Sequence, residues 1–403
     1  MHSIGNSVDS AVPREEVPGG APGPVDEPDD DPAVAEARRL MVICNACRYC
    51  EGFCAVFPAM ERRSAFHRHD LMFLANLCHD CRGCYYACQY APPHDFAVNV
   101  PKALARLRSE SYRSVAWPEP LAGLFARNGL SVGLTCALTT AVVIALTVAL
   151  AGPTTLLSTH AGEGAFYRIV PYWLMVVPAS VIGVYALVAL LLGARRFWRE
   201  SGGESNRPKN VRRLGDAVRS AARDAARLTH LGGGGDGCNY PEGRFSHRRR
   251  WLHHLVLYGF VLDFASTTVA AFYDHALNLR APYPLLSLPV VLGTLGGVGL
   301  VVGSSGLLWL KWKSDRAPAE PSVTGMDVAF LVLLLLTALS GLLLLALRET
   351  PAMGSLLVLH LGLVAGLFLT LPYSKFVHGL YRYLALVRHS LEEADERSLR
   401  PNP

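Results

Sequence analysis

The chain has 403 residues, of which 51% are hydrophobic and only 18% are charged, and its formal net charge is +5. Soluble domains carry roughly 25% charged residues, so this composition excludes an ordinary soluble domain and indicates a membrane protein. The small positive charge gives no reason to predict nucleic-acid binding, because basic residues beside membrane spans account for it.

The N-terminal segment 1–38 is polar, acidic and rich in proline, as in VDEPDDDP. It contains no apolar stretch of the kind that secretory signals have. Low hydrophobicity together with high charge predicts a disordered tail. We therefore expect the folded part of the chain to begin near residue 39.

Two cysteine-rich runs follow the tail, CNACRYCEGFC and CHDCRGCYYAC, and they hold eight of the ten cysteines. Each has the spacing C-x₂-C-x₂-C-x₃-C of bacterial ferredoxins, in which three close cysteines hold one cube and the fourth belongs to the other. The pattern predicts two [4Fe–4S] clusters with exchanged fourth ligands, namely Cys44, Cys47, Cys50 and Cys88 for one cluster and Cys78, Cys81, Cys84 and Cys54 for the other.

Two structural Cys₄ zinc sites are the alternative, because C-x-x-C pairs are common in zinc hairpins. Zinc has no need of the third and fourth cysteines at this spacing, which favours the clusters. Ferredoxins usually place proline directly after the fourth cysteine, whereas Ala55 and Gln89 stand there in this chain. The turn at each fourth ligand is therefore expected to differ. Cys136 and Cys238 have no partner at ligand spacing.

Six apolar runs are each long enough to cross a bilayer core of ~30 Å, which takes about 20 helical residues. We place these spans at 130–151, 170–194, 251–275, 284–310, 326–348 and 353–373. The predicted fold class is all-α, with a ferredoxin-like two-[4Fe–4S] α-helical region and a six-helix transmembrane bundle. The predicted divisions are the tail at 1–38, the cluster region at 39–115, the membrane domain at 116–392 and a C-terminal tail at 393–403.

Basic residues lie mostly on one side of these spans. The loop 195–250 holds fourteen Lys or Arg residues, including Lys209, whereas the loops after spans one, three and five carry about one each. The positive-inside rule predicts that both termini and the cysteine runs face the cytoplasm, in the inner (cytoplasmic) membrane. Thiols stay reduced there, so disulfides are not expected. Segment 208–229 has helical periodicity and basic residues, and it predicts an interfacial amphipathic helix.

Histidines in and beside spans three and six predict haem b, because two histidines that face each other across a bundle form a bis-His site. His254 and His378 are expected at the same cytoplasmic boundary. His253 is the rival of His254, and the sequence does not choose between them. His275 and His360 are expected to form an outer pair. His360 and His378 are eighteen residues apart and would share one face of a continuous helix. The alternative is that these residues hydrogen-bond between helices.

Polar and small residues inside the spans support two further predictions. Asp263 lies in the middle of span three, where an ionised carboxylate is costly. It either carries a proton linked to a quinone or packs as a neutral acid. Span four contains Gly-x-x-x-Gly pairs, which predict close helix packing; its glycines are Gly293, Gly297, Gly299 and Gly303.

Four long motifs resemble the tricarballylate-utilisation protein B family, also called citrate-utilisation protein B: CNACRYCEGFCAVFPAMERR, LCHDCRGCYYACQYAPPHDFAVNVP, GCNYPEGRFSHRRRWLHHLVLYGF and PYSKFVHGLYRYLALV. The resemblance runs from about residue 40 to 392. It implies a membrane iron–sulfur and haem-b protein that reoxidises a separate FAD-containing dehydrogenase of tricarballylate or a similar carboxylate and passes electrons to quinone. More distantly, the histidine pairs are similar to those of cytochrome b subunits of membrane nitrate reductases and heterodisulfide reductases.

No recognisable dinucleotide fold or nucleophile motif accompanies these features, and the glycine run 232–235 follows no predicted strand. A chain with electron carriers and no catalyst needs a partner that supplies electrons. Two other functions stay open at this point. One is a membrane transporter or scaffold with structural Cys₄ zinc sites. The other keeps electron transfer but takes the electrons from a thiol–disulfide enzyme.

Overall fold

The computed structural model describes residues 31–125, 128–202 and 211–399. The predicted tail up to residue 30, Lys209 of the basic loop and the last four residues lie outside this part. The described residues are mostly helical, with almost no strands. Their strands are β1 Cys238–Asn239 and β2 Phe245–Ser246, which pair antiparallel. The all-α prediction is confirmed.

The cysteine-rich region is built from five helices, which are α1 Pro32–Cys47, α2 Val56–Glu61, α3 Arg68–Leu77, α4 Gly83–Tyr86 and α5 Val100–Val115. Helix α1 begins inside the segment assigned to the tail. Asp31 caps it, since its carboxylate accepts a hydrogen bond of 3.0 Å from the Ala33 amide, and Pro32 suits the first helical turn. Buried side chains of α1, α2, α3 and α5 form one apolar core with α16, the last helix, Val377–Leu399.

Six helices are long and apolar enough to cross a membrane, judged by length and composition among the described residues. They confirm the six predicted spans as α7 Asn128–Ala151, α10 Tyr172–Glu200, α12 Arg248–Leu277, α13 Leu288–Lys313, α14 Thr324–Ala346 and α15 Ala352–Thr370. Short helices connect them, namely α6 Glu119–Leu124, α8 Pro153–Leu156 and α9 Ala165–Ile169. The chain is a multi-pass membrane protein.

The spanning helices pack as neighbours, with α12 along α13, α13 on α14, α14 on α15 and α15 on α7. Their outward faces carry large apolar side chains, such as Leu138, which is 65% exposed. Such faces would be costly in water. In a bilayer these faces can stay exposed, because lipid tails are as apolar as the side chains and their contact carries no hydrophobic cost.

Span six does not continue as one helix into the segment that carries His378. Helix α15 ends at Thr370, a 3₁₀ turn follows at Leu371–Tyr373, and α16 begins at Val377. Pro372 in this turn has no amide hydrogen to donate, which interrupts the helical ladder. The expectation that His360 and His378 share one face of a continuous helix is therefore wrong.

The amphipathic segment forms α11 Val211–Arg227, in agreement with its periodicity. It packs on α16 rather than standing apart from the protein. Ala217 and Ala221 are buried there, and Arg213 forms an ion pair of 2.8 Å with Asp395. The basic face of α11 is thereby fixed at the end of the bundle that carries the cysteine region.

Glycines permit the close contact between α12 and α13. A Cβ atom at Gly303 would lie 2.9 Å from the Leu252 carbonyl oxygen and 2.9 Å from the Val256 amide nitrogen. A Cβ atom at Gly259 would lie 2.9 Å from the Gly296 carbonyl oxygen. Because these neighbours are backbone atoms, they have little freedom to yield.

Gly303→Ala is therefore expected to lower the free energy of unfolding by about 1–3 kcal/mol, the usual cost of overpacking. Gly133 of α7 offers a matched control, because a Cβ atom there would meet no atom of the described ranges within 4 Å. Gly133→Ala should change stability by less than about 0.5 kcal/mol. Thermal unfolding in detergent, followed by circular dichroism, compares the two. Equal melting of both variants would contradict the packing described here.

Candidate metal centres

Four cysteines surround a cavity of about 230 Å³ in the cluster region: Cys44, Cys47, Cys50 and Cys88. They are the residues predicted to hold the first cluster, and Cys84 also touches the cavity. A single water needs only about 10–15 Å³ of such space. The cavity therefore suits a group of several atoms. Cys44 and Cys47 lie in the last turn of α1, and Cys88 follows α4. The chain after α4 places Cys88 beside these two cysteines.

The other four cysteines, Cys54, Cys78, Cys81 and Cys84, also line one gap. Its volume is only about 10 Å³, which is about the space that one water needs. The donor set fits a second cluster, but the side chains must move apart to admit it. The assignment of individual ligands to the two clusters stays a prediction.

Within the described ranges, no group of three or more His, Cys, Asp or Glu side chains is arranged to hold a metal ion. Burial dominates the electrostatics of the cysteines. It raises the pKa of Cys44 and of Cys50 to about 12, with neighbouring thiols adding to the effect. It also raises the pKa of Cys54 well above its usual value. Free thiols here are protonated at neutral pH, so binding of iron must release protons.

Arginines from distant parts of the chain surround the second cysteine run. Arg108 of α5 donates to the Cys78 carbonyl at 2.8 Å, and Arg382 of α16 donates to the same oxygen at 3.0 Å. Arg249 of α12 donates to the Asp80 carbonyl. Positive charge beside a thiolate-bound cluster stabilises its reduced, more negative form and so raises its reduction potential. The sequence gives no sign of these contacts, since the three arginines are far apart along it.

The structure pairs His378 with His253 rather than with His254. The centroids of the two imidazole rings are 5.9 Å apart. His254 instead stacks on Tyr258 and meets the edge of Trp251. Adjacent helical residues point about 100° apart, so only His253 of the two faces α16. Which of them is a haem ligand stays a prediction.

This histidine pair has a donor set suited to haem b. His378 donates its Nδ1 proton to the Lys375 carbonyl, so Nε2 is the nitrogen that carries the lone pair, as in metal-binding histidines. Nδ1 of His253 is buried and has no hydrogen-bond partner in the part of the chain that the structure describes. A haem bound here would supply one-electron transfer.

The pair lies beside a cavity of about 150 Å³ that also reaches the second cysteine run. Asp80 and Arg82 of that run line the cavity together with His253 and His378. Charged groups complete its wall, notably Asp327, which forms ion pairs with Lys311 at 2.6 Å and with Lys375 at 2.7 Å. A porphyrin is larger than this cavity, so these walls would have to move outward for haem to bind.

The outer histidines are not brought together. The Nε2 atom of His275 lies 2.6 Å from the Tyr172 hydroxyl, and its Nδ1 atom lies 2.8 Å from the Ala271 carbonyl. His360 lies 3.0 Å from the Ser340 hydroxyl through Nδ1. It lines a different cavity, in the membrane bundle, which Asp263 shares and His275 does not.

The six spanning helices and the ferredoxin-like cysteine region define a multi-pass, iron–sulfur type of membrane protein. The model of the family "Citrate utilization protein B" matches residues 123–399, and that of the "Citrate utilization protein B Fer4-like domain" matches residues 37–114. "Citrate utilization protein B" of Escherichia coli is 46% identical over 360 residues, which cover 89% of this chain and 92% of that protein. The chain belongs to the citrate utilization protein B family, so the resemblance seen in the sequence is confirmed. No solved structure matches it.

Proposed function

We propose that this protein carries electrons from a reduced flavoprotein dehydrogenase to membrane quinone, through two [4Fe–4S] clusters and haem b. The observation that carries the proposal is the shared cavity of about 150 Å³. The second cysteine run contributes Asp80 and Arg82 to it, and the membrane helices contribute His253 and His378. Electrons that leave the second cluster would thereby arrive next to the haem ligands.

The two cysteine groups differ in solvent exposure, and this difference suggests the order in which the two clusters receive electrons. Cys47 of the first group is exposed, whereas Cys78 and Cys81 of the second are buried. The first cluster is therefore the proposed entry point, and the second passes electrons inward. Beside the entry point, Tyr49 is 68% exposed and Phe96 is 47% exposed. Exposed aromatic side chains of this kind are common anchors of protein interfaces.

The partner we propose is an FAD-containing dehydrogenase of tricarballylate or a citrate-type carboxylate. Its support is membership in the citrate utilization protein B family and the name of the relative from Escherichia coli. The basic residues at the cluster end of the bundle, including Lys311 and the run Arg248–Arg250, support a cytoplasmic position for that end in the inner membrane. The partner would then dock from the cytoplasm.

Anaerobic rapid mixing of the oxidised holoprotein with a reduced tricarballylate-type flavoprotein tests the proposal. We expect flavin oxidation to be matched by reduction of the clusters and then of the haem, read from their separate absorption bands. Flavin that stays reduced, or haem that stays oxidised while the flavin is consumed, would contradict it.

The proposed entry face can be tested in the same experiment with Tyr49→Asp. Loss of an aromatic anchor at an interface typically costs about 2 kcal/mol or more, so the second-order rate should fall by about thirtyfold. Val211→Asp is the control, because Val211 is also a large exposed hydrophobic residue, at 87%, but lies on α11. Equal rates for the two variants would place the docking face elsewhere.

A further inference from the structure

A cavity of about 420 Å³ lies among α12, α13, α14 and α15, separate from the histidine pair near the cysteine region. Its wall is mostly apolar, with aromatic rings from Phe260, Phe264 and Phe368. Size and lining are those of a small-molecule site, in which a few polar groups fix the orientation of the ligand. Two such polar groups stand out.

Asp263 of α12 is the first. Its carboxyl group has no hydrogen-bond or ion-pair partner among the described residues, whereas the neighbouring hydroxyls are satisfied. Ser266 donates to the Pro289 carbonyl at 2.6 Å and Thr337 donates to the Leu333 carbonyl at 2.8 Å. A Cβ atom at Gly296 would collide with the Asp263 carboxyl group. An unpaired carboxylate inside a membrane is costly and marks a functional site, and the neutral acid is a hydrogen-bond donor.

His360 of α15 is the second. Its Nδ1 atom donates to the Ser340 hydroxyl at 3.0 Å, because that hydroxyl donates in turn to the Thr337 carbonyl at 2.9 Å. Nε2 is therefore the nitrogen of the neutral ring that can take up a proton. Gly341 makes room for the ring, because a Cβ atom there would lie 3.0 Å from Cε1 of His360. The imidazole is therefore held in place at Nδ1, and it lines the same cavity as Asp263.

The cavity borders the lipid, and a row of packed aromatic rings leads from it to the inner histidine pair. Phe264 lines it and is also 58% exposed on the membrane surface of α12, so an apolar ligand can enter from the bilayer. On the inner side, the ring of Phe260 lies 5.5 Å from that of Phe376, which lies 6.4 Å from that of Phe330. Phe330 lines the cavity beside His253 and His378. Three rings thus join the two sites.

We propose that this cavity is the quinone site, with the quinone ring between Asp263 and His360. This proposal rests on the proposed function, because the electrons that reduce the quinone come from the electron-transfer chain proposed above. Reduction turns the two carbonyl groups of the quinone into hydroxyls, with two electrons from the iron-containing carriers and two protons that come from water. Asp263 gives its proton to one carbonyl oxygen and is then reprotonated. His360 first takes up a proton from water on Nε2, donates a hydrogen bond through it to the other oxygen, and passes it on as the second proton. A second bis-His haem is the competing occupant, but His360 is the one histidine that lines the cavity among the described residues.

Equilibrium binding of decylubiquinone to the oxidised holoprotein in nanodiscs tests the site without any electron transfer. Val364→Trp fills the cavity from α15 and is expected to weaken binding by at least about a hundredfold. Val332→Trp is the matched control on the lipid-facing side of α14 and should bind as the wild type does. Asp263→Asn and His360→Gln should each weaken binding by about fivefold to tenfold, the value of one hydrogen bond to a buried group. All four variants should keep the full haem and cluster spectra.

Reoxidation of the prereduced haem by decylubiquinone gives a second readout, in which Asp263→Asn should be slowed by more than its loss of binding. Unchanged binding in Val364→Trp, or no binding by the wild type, would overturn the proposal. Loss of a haem signal in His360→Gln would overturn it in favour of an outer haem. Binding that depends on this cavity, in a protein whose haem never accepts electrons from a flavoprotein, would support the site and reject the electron-transfer function.

Discussion

Cys54→Ala is expected to remove the buried cluster of the second cysteine run while the cluster of the first run stays. Non-haem iron should fall from about eight to about four atoms per chain, because each cube holds four. Electron transfer from the flavoprotein to the haem should be lost, since the missing cluster is the one beside His253 and His378. Iron analysis and electron paramagnetic resonance of one anaerobic preparation measure both effects.

Double variants test whether Cys54 completes the cluster of the second cysteine run or the cluster of its own run. If Cys54 serves the second run, adding Cys81→Ala should cause no further loss of iron, whereas adding Cys44→Ala should remove the remaining cluster. If each run holds its own cluster, the two results are reversed. Cys136→Ala is the control, because Cys136 lies in α7, far from either group along the chain, and should keep all of the iron.

Removal of the inner histidines has the second large expected effect. His253→Ala and His378→Ala should each lower haem occupancy by at least about tenfold, a conservative figure because outer-shell changes at metal sites already cost 10–100-fold in affinity. His254→Ala should keep the haem, since this ring stacks on Tyr258 and not on His378. The absorption of the reduced minus oxidised protein measures the haem directly.

The adjacent histidines provide a matched pair in this test. A haem that is lost from His254→Ala and kept in His253→Ala would reject the pairing seen in the structure. The clusters should remain in all three variants, as iron analysis can verify. A variant that lost both haem and clusters would be misfolded, and His378→Gly with added imidazole then provides the decisive case, because imidazole should restore the haem absorption.

The cysteine and histidine groups occupy successive positions along the protein. The exposed Cys47 lies at the outer face of the cluster region, and the buried Cys78 and Cys81 lie behind it. The pair His253 and His378 follows at the start of the membrane bundle, and three phenylalanine rings lead to the deeper cavity. Such an order suits carriers that must each lie close to the next.

The membrane spans are the most predictable part of the fold. Their bounds agree with the apolar runs to within about six residues, because a bilayer requires a long uninterrupted apolar helix. The start of α13 moves from 284 to Leu288, since Pro289 suits the first helical turn. The interruption after Thr370 does not follow from hydropathy, although Pro372 is a usable signal for it.

Only the part of the site that depends on the spacing of nearby residues in the sequence could be predicted. The grouping of cysteines follows from a repeated pattern within two short runs, whereas the choice of His253 over His254 depends on how α12 faces α16. Arg108, Arg249 and Arg382 meet around the second run through tertiary packing. No local pattern marks them, because arginines near a membrane boundary are equally expected as topology signals.

The metal content of the purified wild-type chain tests the central claim most directly. Iron, acid-labile sulfide, zinc and haem should be measured per chain on one anaerobic preparation. The proposed electron-transfer function predicts about eight non-haem iron atoms with matching sulfide, together with haem b and no stoichiometric zinc. A colourless protein that contains zinc and lacks iron would contradict it and favour a membrane protein with structural zinc sites.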